Sequence, residues 1–125
     1  MKVVFWGVRG SIPSPGPSTV RYGGNTTCIQ VILPDGHSII LDAGTGIRPL
    51  GLQLMENAPV HCSVCISHTH WDHIQGFPFF IPAYIPGNKI HIYGVIEDIE
   101  EKFRRQMMHP YFPVPFDGLG ADIEF

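Results

Sequence analysis

Four side chains set the chemistry open to this sequence: His68, His70, Asp72 and His73, within Ser67-His68-Thr69-His70-Trp71-Asp72-His73. In an extended segment residues two apart point the same way, so His68 and His70 can converge on one metal ion. If the chain then turns into a helix, Asp72 and His73 swing toward an adjacent second ion. Imidazole suits zinc, and a carboxylate oxygen suits the more water-accessible ion of a pair. Two such ions about 3.5–4 Å apart can hold a bridging hydroxide as nucleophile and clamp a phosphate oxygen. A lone histidine is usually a surface or hydrogen-bonded residue. Three His and one Asp within six residues, directly after an apolar strand, favour a metal site instead.

The elements that must position this cluster follow from the pattern of apolar residues. Lys2 to Trp6 is short, β-branched and aromatic, and reads as a buried first strand. Residues 7–26 form a long Gly- and Pro-rich loop, of the kind that is usually functional or disordered in a small domain. Thr27 to Leu33 and His37 to Leu41 read as strands around a Pro34-Asp35-Gly36 turn. Asp42-Ala43-Gly44-Thr45-Gly46 then leads into a helix over residues 47–56. Val60 to Ile66 is a fourth strand that feeds the His cluster, Lys89 to Tyr93 a fifth, and Asp122 to Phe125 the opening of another. Between them, Phe77 to Pro82 is too proline-rich for regular structure. Ile99, Phe103 and Met107 recur at four-residue spacing and predict an amphipathic helix over residues 97–108. This order argues for an α/β protein, a mixed sheet with covering helices.

Ligands in open α/β sheets gather at the carboxyl ends of the strands. If the third and fourth strands are parallel, Asp42 arrives beside the His cluster. There it could hydrogen-bond a ligand imidazole or a backbone amide and fix a tautomer, or it could cap the following helix; both roles stay open. Trp71, lying between the ligands, is the better candidate of the aromatics for a substrate pocket, whereas Phe79 and Phe80 read as core. Asn25, in the long loop, is a second candidate for substrate contact. Arg9 and Arg21 carry less weight as phosphate contacts, because surface arginines are common.

Other signals are set aside on geometry. Cys62 and Cys65 form a C-x-x-C inside a strand, where they face opposite sides of the sheet, so buried structural thiols are expected. Gly44-Thr45-Gly46 fails the dinucleotide fingerprint, which needs Gly where Pro49 stands, and lacks the Gly-Lys of a phosphate loop. His37 sits at a turn, His61 lies ~20 Å up the fourth strand from the cluster, His91 points away from the apolar face, and His109 precedes Pro110 in a loop. None of them completes the site.

The pattern H-x-H-x-D-H after an apolar strand, with Leu41-Asp42-Ala43-Gly44-Thr45-Gly46 before it, resembles the metallo-β-lactamase superfamily. The opening Phe5-Trp6-Gly7-Val8-Arg9-Gly10-Ser11 and Tyr22-Gly23-Gly24-Asn25-Thr26-Thr27-Cys28 is similar to the ribonuclease Z-like, phosphodiesterase branch. The resemblance implies an αββα sandwich of which residues 1–125 are the N-terminal half, a single and apparently truncated domain. It also implies a dinuclear zinc hydrolase of phosphodiester bonds, with manganese or iron as alternative metals. His68 and His70 would serve the first ion, and Asp72 and His73 the second, with Asp72 also part of the catalytic apparatus. In that family a third His, a bridging Asp and a final His come from further along the chain. This chain alone is therefore expected to hold metal poorly and to be inactive.

Composition limits the rest. With 8 Lys and Arg against 11 Asp and Glu, the net charge is −3, so charge alone supports no nucleic-acid binding; a small-molecule or nucleotide phosphodiester is the expected substrate. At 44% hydrophobic the chain can bury a core, and no run is long enough to span a bilayer. Three cysteines without framework spacing suit a reduced, cytoplasmic protein. A half sandwich would leave one sheet face uncovered, and a homo-oligomer is the expected consequence. Two other readings remain: a thioester or lactone hydrolase of the same fold, and a non-catalytic oligomerising or regulatory piece.

Overall fold

The computed structural model describes residues 1–125. One sheet of six strands runs in sequence order: β1 (Lys2–Gly7), β2 (Cys28–Ile32), β3 (Ser38–Leu41), β4 (His61–Ile66), β5 (Lys89–Gly94) and β6 (Asp122–Glu124). The first two pairings are antiparallel and the next three parallel, so the expected mixed sheet is present. The parallel strands are joined by α1 (Ile47–Leu54), by α2 (Trp71–Ile74) with two following 3₁₀ turns, and by α3 (Ile99–Gln106). Every crossover steps the same way across the sheet. Crossovers share one hand, so all the connecting elements fall on one face.

That face holds the core. Cys28, Ile40, Cys62, Val64, Ile66, Ile90 and Ile92 point into it from the strands and meet Ile47, Leu50, Phe77, Phe80, Phe103, Met107 and Phe116. Phe77 is its aromatic centre, edge-to-face with Phe103 at 4.8 Å between ring centroids. Helix α1 buries Ile47, Leu50 and Gly51, the three- and four-residue spacing of a helix face. Helix α3 buries Phe103 and turns Glu100–Arg104 and Glu101–Arg105 pairs outward, each at 2.8 Å. Its acidic first turn and basic last turn also suit the helix dipole.

The opposite face is bare. Phe5, Ile29, Leu41, Cys65 and Tyr93 stand in one cross-strand row on it. Phe5 is 64% exposed and Tyr93 54%. The expectation of a buried first strand is thus corrected: β1 is an edge strand, and nothing covers its Val3 and Phe5 side. Phe79 departs likewise from the core role expected of it, being 53% exposed while Phe80 is fully buried. The proline-rich stretch does take regular form, as 3₁₀ turns at Phe77–Phe79 and Ile81–Tyr84 with Pro at their starts, where a missing N–H costs nothing. The second sheet of a sandwich is not among the elements. No helix is long and apolar enough to cross a membrane.

The cysteines are all free. Cys28 and Cys62 lie in the core, and burial pushes both thiols up to about 12. Cys65 is on the other face, as the alternation of a strand requires. Protonated core thiols are poor nucleophiles and poor metal ligands, so the C-x-x-C is structural.

Candidate functional site

The cluster lies where the topology leads. Strands β3 and β4 are parallel, with Leu41 paired to Cys65, so both end at the same edge of the sheet. Asp42 leaves β3 in the left-handed region, at φ 61°, a conformation that Asp tolerates better than most residues. Its carboxylate turns toward β4 and accepts from the Ser67 amide at 2.8 Å, the Ser67 hydroxyl at 2.8 and 2.9 Å, and His73 Nδ1 at 2.8 Å. The alternative role, a helix cap, is not taken: Gly46 caps α1 and no side chain bonds there.

Asp42 therefore determines how His73 presents itself. With Nδ1 turned to Asp42, Nε2 is the free nitrogen, and it lies 3.5 Å from Asp72 Oδ2. His68 packs its ring 4.0 Å from that of His73 and 4.5 Å from that of His70, centroid to centroid. The Ser67 hydroxyl reaches His68 Nδ1 at 3.1 Å, tying the same serine to a second imidazole. Asp72 is held from the long loop, where the Ser11 amide donates to its Oδ2 at 2.8 Å. That bond holds the Asp72 carboxyl below the usual carboxylate range; His73 and His70 act in the same sense, against the opposing effect of burial. Ser67 and Ser11 are the two residues that sequence reasoning missed. Ser67 stands between the strand and His68, which is a signal; Ser11 acts through its backbone and leaves none.

Two glycines let the loops that carry these residues pack backbone to backbone. A Cβ on Gly76 would lie 2.0 Å from the Gly44 carbonyl oxygen, and one on Gly44 would lie 2.3 Å from that of Asp72. Hydrogen bonds from Ala43 N to His73 O at 2.7 Å and from Gly76 N to Ala43 O at 2.9 Å close the junction.

The donor chemistry, imidazole and carboxylate, suits zinc. The donors meet in pairs, however, and no set of three or more His, Cys, Asp or Glu side chains is arranged to hold a metal ion. The remaining histidines stay apart. His37 Nε2 contacts the Ser63 hydroxyl at 3.0 Å, and His91 pairs with Glu124 at 3.1 Å. Trp71 opens α2 beside the cluster and is 81% exposed. Asn25 lies in the loop before β2, where its Oδ1 accepts from the Thr45 hydroxyl at 3.2 Å.

The His and Asp cluster thus stands at the carboxyl ends of adjacent parallel strands, where ligands gather in open α/β sheets. The sequence is similar to two proteins named ribonuclease Z. One, from Metallosphaera sedula, is 30% identical over 122 residues, 93% of this chain. The other, from Pyrobaculum arsenaticum, is 30% identical over 97 residues, 75% of the chain. The chain spans 39% and 31% of the length of these relatives. No family model matches it, and no solved structure does.

Proposed function

We propose that this chain is the metal-ligating part of a metal-dependent phosphodiester hydrolase with the metallo-β-lactamase arrangement. The observation that carries the reading is the Asp42–His73 contact at 2.8 Å, which leaves Nε2 free beside Asp72. Carboxylates that fix a ligand imidazole in this way are characteristic of metal sites. Similarity to two ribonucleases Z over most of the chain supports the phosphodiester part and favours RNA or a nucleotide as substrate.

In this reading His68 and His70 would hold one zinc ion, and Asp72 and His73 a second. When bound, the ions would supply an activated water and a Lewis acid for the phosphoryl oxygen. The chain's own residues do the positioning. Asp42 holds the His73 tautomer, Ser67 ties His68 to the same carboxylate, and the Ser11 amide keeps Asp72 ionised and oriented. Trp71 and Asn25 would contact substrate at either side of the cluster. Free cysteines in all three positions suit a reducing, cytoplasmic setting.

Zinc titration of the chain, followed through its imidazole NMR resonances, tests the assignment. Zinc is expected to move His68, His70 and His73 and to leave His37, His61, His91 and His109 in place. Binding confined to the latter group would sink the proposal. For a protein of the relatives' full length, hydrolysis of bis-p-nitrophenyl phosphate in preference to S-lactoylglutathione is expected; the reverse preference would favour a thioesterase.

The bare sheet face supports self-association, with Phe5, Leu41 and Tyr93 as the apolar contact between two copies. Light scattering of this chain is expected to show a dimer or larger species that dissociates when Phe5 and Tyr93 are both changed to Lys. A monodisperse monomer at high concentration would rule this out.

A further inference from the structure

A cavity of about 220 Å³ opens between the loop before β2, the start of α1 and the turn after α2, lined by Asn25, Thr45, Arg48, Pro49, Gly76 and Phe79. None of the clustered His and Asp side chains lines it, but two of the loops that build the cluster also build its walls. Thr45 belongs to the loop that begins at Asp42, and Gly76 follows the helix that carries Asp72 and His73. Two of its polar side chains, Arg48 and Asn25, have donors to spare. The Arg48 side chain makes no ion pair and no hydrogen bond, whereas Arg104 and Arg105 are both engaged by carboxylates. Asn25 spends its Oδ1 on the Thr45 hydroxyl, leaving its amide N–H groups free. No carboxylate lines the space. An unpaired guanidinium and a free amide NH₂ lining one cavity suit an anionic, oxygen-rich group such as a phosphate.

The rim adds a second requirement. Phe79 is 53% exposed, yet its ring is not free to wander: Phe112 packs edge-on against it, with centroids 5.5 Å apart and an interplanar angle of 89°. A fixed, solvent-facing aromatic ring beside a phosphate site is a stacking platform for a base. The cavity is smaller than the roughly 300–1,000 Å³ of a complete small-molecule site, so it suits one unit of a larger ligand.

We propose that this cavity binds a single nucleotide unit of the substrate, its phosphate at Arg48 and Asn25 and its base on the face of Phe79. The link to the scissile bond rests on the hydrolase reading above. Occupancy of the cavity does not, because none of its donors is among the proposed metal ligands.

The test is therefore made without metal. The ¹⁵N-labelled chain, in excess EDTA, is titrated with adenosine 5′-monophosphate and, separately, with inorganic phosphate. The nucleotide is expected to shift the Asn25 side-chain amide, the Arg48 Nε–H and the Gly76 amide, and to bind more tightly than phosphate. Arg48→Ala should weaken both ligands by about tenfold or more, and Arg48→Lys should fall between it and the unmodified chain. Phe79→Ala should weaken the nucleotide by about tenfold and leave phosphate unchanged. Arg48 and Phe79 are both on the surface, and an otherwise unchanged spectrum shows that each variant is folded. The proposal is overturned if the nucleotide shifts only the His68–His73 turn or nothing at all. It is equally overturned if Arg48→Ala binds both ligands as the unmodified chain does. Failure of the zinc titration would remove the hydrolase reading and leave this result standing.

Discussion

Asp42→Ala is expected to cost about 2–3 kcal/mol of folding stability, the cost of leaving partly buried hydrogen-bonding groups without their partner. The buried carboxylate accepts from Ser67 N, Ser67 Oγ and His73 Nδ1; on its loss the Ser67 amide has no acceptor, and the Ser67 hydroxyl keeps only its contacts with His68 Nδ1 at 3.1 Å and His73 Nδ1 at 3.4 Å. An unsatisfied buried donor costs about 1–3 kcal/mol, and water reaches exposed Ser67, so the loss stays near the cost of one such group. Position 42 also sits at φ 61°, which alanine adopts less readily than aspartate. The same change should lower zinc affinity by about 10–100-fold, since His73 would no longer be held with Nε2 outward. Asp42→Asn keeps the size, the backbone tolerance and one acceptor oxygen, and should lose about half as much stability. Urea unfolding followed by circular dichroism reads the first quantity, and competition with a chromophoric chelator the second. If Asp42→Ala is within about 1 kcal/mol of the unmodified chain and binds zinc equally, then Asp42 does not organise this site.

Phe77→Ala should cost more, about 3–5 kcal/mol. Phe77 is fully buried and lies 4.8 Å from Phe103, 6.2 Å from Phe116 and 6.5 Å from Phe80, centroid to centroid. It joins the segment after the His turn to α3 and to the chain before β6. Its removal opens a cavity that no single neighbour can fill, because the surrounding rings belong to different elements. Domains of this size are stable by about 5–15 kcal/mol, so the loss is a large share of the total. Phe77→Leu, closer in volume, should lose less than half as much. Equal urea midpoints for Phe77→Ala and the unmodified chain would mean that the aromatic cluster is not packed as described.

Elements with one strong local signal are legible in the sequence alone. Strands β2 to β5 follow β-branched runs, and α3 follows from Ile99, Phe103 and Met107, because backbone period and side-chain burial are local properties. The gathering of His68, His70, Asp72 and His73 on one turn is legible for the same reason, as four donors within six residues cannot end far apart. Phe79 and β1 depart from expectation because hydrophobic residues carry no mark of which face is covered. That depends on the other elements: here every crossover falls on one side of the sheet, and the Phe5 side is left open.

The role of Asp42 shows the division most clearly. Its residue type allows a helix cap or a support for an imidazole, and no spacing in the sequence separates the two. The parallel pairing of β3 with β4, together with a positive φ at position 42, turns the carboxylate toward Ser67 and His73. The cavity at Asn25, Arg48 and Phe79 lies beyond sequence reasoning for a related reason. Its walls come from three segments brought together only when Gly44 and Gly76 let two backbones touch. Residue types and short spacings thus determined the candidate chemistry and most of the elements. Tertiary structure decided which groups face one another, because strand pairing and close packing act between residues that are far apart in the chain.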